Sequence, residues 1–122
     1  MNDNRYQHIN PEPLLDAMGG DVAACRHMFG TFAKSAPATF ARLESAILAD
    51  EAALVKREAH SLKSMTALVG AAELTEMLKS IEIQSRAEPP QSAQPSLAPL
   101  QALFDAVSSE VRHYVDQVGV AQ

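Results

Sequence analysis

Apolar residues recur along this chain at spacings of three and four, the period of an amphipathic helix, and no segment alternates as a strand would. Val22, Cys25, Phe29, Phe32 and Ala36 form one such stripe. Pro37 follows and is predicted to break or kink the helix, since it lacks an N–H and disfavours helical geometry at Ala36. Phe40, Leu43 and Ile47 resume the period to about Ala49. Val55, Ala59, Leu62, Thr66 and Val69 mark the next helix, over 51–69, with Asp50 as its cap and Gly70 as its stop. Leu74, Met77 (or Leu78) and Ile81 carry another to about Arg86. Leu100, Phe104, Val107, Val111, Tyr114 (or Val115) and Val118 define the last, ending at Gly119.

Between these helices the pattern lapses twice. Residues 1–10 read as a polar N-terminal tail that includes His8. A short helix near 12–18 enters between Pro11 and Pro13 and stops at Gly19-Gly20, after which Asp21 is a good N-cap. Residues 87–96 have no period and three prolines, and are expected to form a mobile Pro-rich loop. Four apolar stripes must bury themselves against one another, and short links favour antiparallel neighbours. The expected fold is therefore all-α, an antiparallel up-down four-helix bundle over 11–122 with a short N-terminal capping helix.

Composition narrows the function classes. The chain has 122 residues, enough for one domain with a real core. Its formal charge is −5 and it has no basic block, which argues against nucleic acid as a partner. Cys25 is its single cysteine, so no intrachain disulfide forms and a cytoplasmic setting fits, with Cys25 as a buried structural thiol. No apolar run approaches the roughly 18 residues of a membrane span. The N-terminus lacks the apolar core of a secretory signal, and Met1 with its polar tail speaks against a fragment of a larger hybrid kinase.

One histidine stands out. His60 lies off the apolar stripe of its helix, and Lys56, Lys63, Ser64 and Ala67 lie one turn or two away on its side. Small residues leave the ring open to a large partner, and cations suit a ring that will carry a negatively charged group such as phosphoryl. An imidazole with the ordinary pKa of about 6.5 is a good nucleophile near pH 7. His8, His27 and His113 show no ligand spacing, so no metal site is expected. There is no P-loop, Gly-rich ATP loop, kinase signature or nucleophile elbow, so a phosphoryl donor must come from another protein.

The string His60-Ser61-Leu62-Lys63-Ser64, then Thr66, then Val69-Gly70-Ala71, resembles the phosphoacceptor helix of histidine-containing phosphotransfer (Hpt) domains. Leu14-Leu15-Asp16-Ala17-Met18-Gly19-Gly20-Asp21 is similar to the first helix and Gly-Gly-Asp turn that open many of them. The resemblance covers residues 11–119 and departs at Ser64, where the family usually has glycine. Serine there would either narrow the approach or donate to a phosphoryl oxygen.

The resemblance implies the same bundle and a phosphocarrier with no autonomous kinase activity. His60 would accept a phosphoryl group from a receiver-domain aspartate and pass it to another receiver. Lys63 would stabilise the phosphoryl oxygens, and Lys56, Arg57, Ser64 and Ala67 would meet the partner. Partners would be receiver domains of response regulators or hybrid histidine kinases, the protein acting as a monomer. It would carry no cofactor of its own, Mg²⁺ arriving with the receiver. The alternative is a non-catalytic module that binds a receiver or kinase without transfer.

Overall fold

The structure, a computed structural model, describes residues 6–121, with the side chains of 118–121, Val118 among them, outside the described set. Five α-helices follow in order: α1 (Glu12–Ala17), α2 (Val22–Leu48), α3 (Ala52–Leu68), α4 (Ala72–Ser85) and α5 (Leu97–Ala121). No strand occurs among the described residues. Helix α2 packs on α3, α3 on α4, and α5 closes the ring against α2 and α4, while α1 rests on α2. This is the expected four-helix bundle with its short capping helix.

The predicted stripes supply the core. Cys25, Phe29, Phe32, Ala36, Phe40, Leu43 and Ile47 of α2 are buried, as are Leu100, Phe104, Val107, Val111 and Tyr114 of α5. Phe40 and Phe104 stack with ring centroids 4.2 Å apart, and Phe29 meets Tyr114 at 4.6 Å. Cys25 is fully buried, and the Tyr114 hydroxyl lies 3.4 Å from its sulfur. Val22, on the same stripe, stays exposed in the first turn of α2.

Several local expectations are corrected. Pro37 does not break the helix, and α2 runs through it for 27 residues. Ala36 and Phe40 are held in the core on either side, while Pro37 faces solvent. Asp50 does not cap α3. It adopts a left-handed conformation (φ 51°) in the α2–α3 turn, which aspartate tolerates better than most residues, and Glu51 takes the N-cap position without a side-chain bond. Asp50 instead accepts hydrogen bonds from Ser92 Oγ (2.6 Å) and Gln94 Nε2 (3.0 Å). With Ala93 buried, these bonds fasten the second half of the Pro-rich loop to that turn, so it is not free over its whole length. A single 3₁₀ turn, Gln94–Ser96, then leads into α5, which continues through Gly119 to Ala121.

The described part of the N-terminal segment is no loose tail. Tyr6, Ile9 and Pro11 are buried. The backbone N–H groups of Gln7, His8 and Ile9 all donate to the Glu110 carboxylate of α5, at 3.2, 2.8 and 3.2 Å. A carboxylate that accepts several backbone N–H bonds is held strongly, and this one straps the segment across the bundle. The strap ends at α3, where the Asn10 N–H donates to the Val69 carbonyl at 3.1 Å.

Gly70 terminates α3 as expected, with φ +70°. A Cβ there would collide with the Asn10 backbone, its nitrogen only 2.8 Å away. Gly70→Ala therefore suffers both left-handed strain and displacement of the strap, and should destabilise the fold by more than about 1 kcal/mol in urea denaturation. A neutral effect would show that the strap is not held there.

Candidate functional site

His60 faces out because Ala59 and Leu62, both fully buried, fix the rotation of α3. The register between α3 and α4 is set deeper in the seam. The Thr66 and Thr75 hydroxyls meet at 2.8 Å, one donating to the other. Each also lies within hydrogen-bond reach of a backbone carbonyl, Lys63 at 3.1 Å and Ala71 at 2.8 Å respectively. Two turns further along the antiparallel pair, seven residues from each threonine, Ala59 and Glu82 come level. Leu74, Leu78 and Ile81 bury the inner face of α4 and turn Glu82 toward α3.

The Glu82 carboxylate is the centre of the arrangement. Its side chain is only 4% exposed, and three groups converge on it. Lys63 Nζ donates to Oε1 at 2.8 Å. Arg86, one turn along α4, donates to Oε2 at 2.7 Å. His60 Nδ1 lies 3.1 Å from Oε2, while its ring remains 61% exposed.

The Lys63 hydrogen bond is the main influence that holds the Glu82 carboxyl below its ordinary value. Burial opposes this, and the charge of Lys63, the His60 hydrogen bond and the charge of Arg86 reinforce it. An ionised carboxylate only accepts, so the neutral imidazole must place its proton on Nδ1. That leaves Nε2 with its lone pair on the outward edge of the ring, the form required of a nucleophile.

The other sequence candidates divide. Lys63 is close to the ring through their shared carboxylate and is 26% exposed. Its ammonium keeps donors beyond the one given to Glu82. Lys56 and Ala67 are exposed on the His60 side of α3. Ser64 is exposed too, but its hydroxyl turns back to the His60 carbonyl at 3.4 Å, a bond along its own helix. Arg57 is drawn toward the α2–α3 seam, where its guanidinium donates twice to Glu58 Oε2. Its charge is engaged there rather than at the ring.

Sequence reasoning missed Glu82 and Arg86. The signal was present: Leu74, Leu78 and Glu82 are spaced by four, so a carboxylate stands in line with core leucines. A charge on an apolar stripe must find partners, and α3 provides them. Among the described residues no group of three or more His, Cys, Asp or Glu side chains is arranged to hold a metal ion. No described helix is long and apolar enough to cross a membrane.

The family profile of the Hpt domain matches residues 27–118, about three quarters of the chain, and the whole site lies within it. Searches of curated proteins and of solved structures return no match.

The Glu82 cluster has a definite pH signature. Glu82 titrates lower when folded than when unfolded, so its stabilising contribution is complete above the ordinary carboxylate range near pH 4.5 and is lost as pH falls through the folded-state value. Thermal melts of the wild type and Glu82→Gln should differ most at neutral pH and converge only as the pH falls through the lowered folded-state value, below the ordinary carboxylate range. A gap that stays constant throughout the acid range would contradict the ionised cluster.

Proposed function

The chain belongs to the Hpt-domain family, whose members serve phosphotransfer in two-component signalling, and we propose that it is a phosphorelay intermediate with His60 as the acceptor. The observation that carries this reading is the bond from His60 Nδ1 to buried Glu82, which leaves Nε2 outward and nucleophilic.

In the proposed step the Nε2 lone pair attacks the phosphorus of a receiver's aspartyl phosphate. The new N–P bond forms as the P–O bond to the aspartate breaks, and that electron pair leaves on the aspartate carboxylate. The ring keeps its Nδ1 proton and gains positive charge, which Glu82 offsets. Lys63, with donors to spare, offsets the charge of the phosphoryl oxygens on this reading. The reverse step returns the group to a second receiver. Mg²⁺, which the family resemblance assigns to the receiver, supplies charge neutralisation to the transferring group.

On this reading Lys56, Ser64 and Ala67 belong to the face that meets the receiver, and the protein acts as a cytoplasmic monomer with no cofactor of its own. The alternative of a non-catalytic binding module drew on Ser64 in place of glycine. Because the Ser64 hydroxyl is folded onto its own helix backbone, it leaves the outward edge of His60 open, which favours transfer.

His60→Gln should abolish labelling by a phosphorylated receiver while leaving the helical circular dichroism intact. The wild-type label should be acid-labile and alkali-stable, as a phosphoramidate is. Undiminished labelling of the variant would place the acceptor elsewhere. Lys63→Ala should slow transfer about tenfold, the loss of one charge-assisted hydrogen bond. The isolated protein with ATP and Mg²⁺ should acquire no label, and stoichiometric self-labelling would refute the reading of a carrier without kinase activity.

A further inference from the structure

A second buried carboxylate lies on the opposite flank of His60. Glu58 of α3 precedes His60 by two residues and faces α2, with its side chain 8% exposed. Arg42 of α2 donates to its Oε1 at 3.2 Å, and Arg57 donates to its Oε2 at 3.2 and 3.3 Å. Arg42 also donates to the buried Thr39 hydroxyl at 3.0 Å. Both arginines are nonetheless largely open to solvent, at 57% and 68% exposure.

This arrangement does more than join two helices. A buried charge with one partner would hold the seam; here one carboxylate orients two guanidinium groups whose remaining N–H donors face outward. Each guanidinium has five donors in a planar fork, so the bonds to Glu58 and Thr39 leave donors unused on both. Arg57 is one turn from His60 on the same helix, and a shallow groove between the arginines is lined by Ala41, Ala46 and Leu54 together with the carboxylates of Glu51 and Glu58.

The flank on α4 repeats the design, with Lys63 and Arg86 on Glu82. Each flank of α3 thus holds a pair of cations on a buried carboxylate, Arg42 and Arg57 on Glu58 and Lys63 and Arg86 on Glu82, with exposed Lys56 one turn from His60 and exposed Glu51 in the groove beside the arginines. With five cations against three carboxylates, these two flanks carry a positive excess on a chain whose total charge is −5. Charge complementarity selects an acidic partner for such a face and repels a second copy of the same face.

We infer that Arg42 and Arg57, held outward by Glu58, form a docking clamp for carboxylates on the receiver that meets His60. The clamp rests on the phosphorelay reading above and adds a division of labour to it. The Glu82 flank serves the reacting ring, and the Glu58 flank serves encounter and grip. Planar carboxylates are the groups that a guanidinium fork binds with two parallel bonds.

The test is transfer from a phosphorylated receiver domain that labels the wild-type protein, followed against receiver concentration at low and high salt. Arg42→Gln/Arg57→Gln should raise the half-saturating receiver concentration roughly tenfold at low salt. The effect should fall on half-saturation rather than on the rate at saturating receiver, and should shrink as salt screens the exposed charges. Arg57→Gln alone leaves Arg42 on Glu58, so the buried carboxylate stays paired. It carries the test should the double variant fail to fold, with a rise of about threefold. Arg57→Lys, which keeps the charge but not the fork, should recover only part of the loss. Unchanged half-saturation in folded variants, or a loss confined to the rate at saturation, would overturn the clamp and leave the acceptor reading standing. Absence of any transfer to His60 in the wild type across a panel of receivers would overturn both.

Discussion

The contact on which the site depends is the one between His60 Nδ1 and the buried Glu82 carboxylate. An exposed histidine would ordinarily sample rotamers and both tautomers. A carboxylate fixed in the α3–α4 seam removes both freedoms, because it accepts from one nitrogen only and is itself clamped by Lys63 and Arg86. Those two cations are what make an ionised carboxylate tolerable at a nearly dry position. The Thr66–Thr75 bond and the fully buried Ala59, Leu62, Leu74 and Leu78 then set the helix rotations and register that bring the four groups level.

The same device appears on both sides of the acceptor helix. Glu58 and Glu82 each occupy a place where an apolar side chain would complete a stripe, and each is satisfied by two cations. Replacing a whole buried ion pair by well-packed apolar side chains is often neutral or stabilising, so stability alone does not account for these clusters. Their presence is better explained by what they orient. One holds a ring and the other holds a pair of guanidinium groups.

The bundle itself was legible in the sequence because its helices bury clear stripes. Despite its proline, α2 keeps every stripe position from Cys25 to Ile47 in the core, as the periodicity requires. His60 and its neighbours on α3 were legible because residues three and four apart on one helix share a face. The charge of Glu82 on the α4 stripe was legible, but its pairing with His60 and Lys63, and that of Arg42 with Glu58, were not, since those contacts cross between helices and depend on register, which no local period encodes. The strap over residues 6–10 was hidden for a related reason: polar Gln7 and His8 are held through their backbone N–H groups by Glu110, about a hundred residues away. Pro37 and Asp50 misled because tertiary anchoring overrode a local preference in one case, and a long-range partner claimed the side chain in the other.

The central claim is that Glu82 directs chemistry to one nitrogen of one ring. Proton–nitrogen correlation NMR of the protein carrying ¹⁵N-labelled histidine, recorded before and after phosphorylation by a receiver, tests this most directly. The account predicts a neutral His60 ring protonated at Nδ1 beforehand, and a phosphoryl group bonded to Nε2 of that ring afterwards. Phosphorylation at Nδ1, or on His8, His27 or His113, would contradict it.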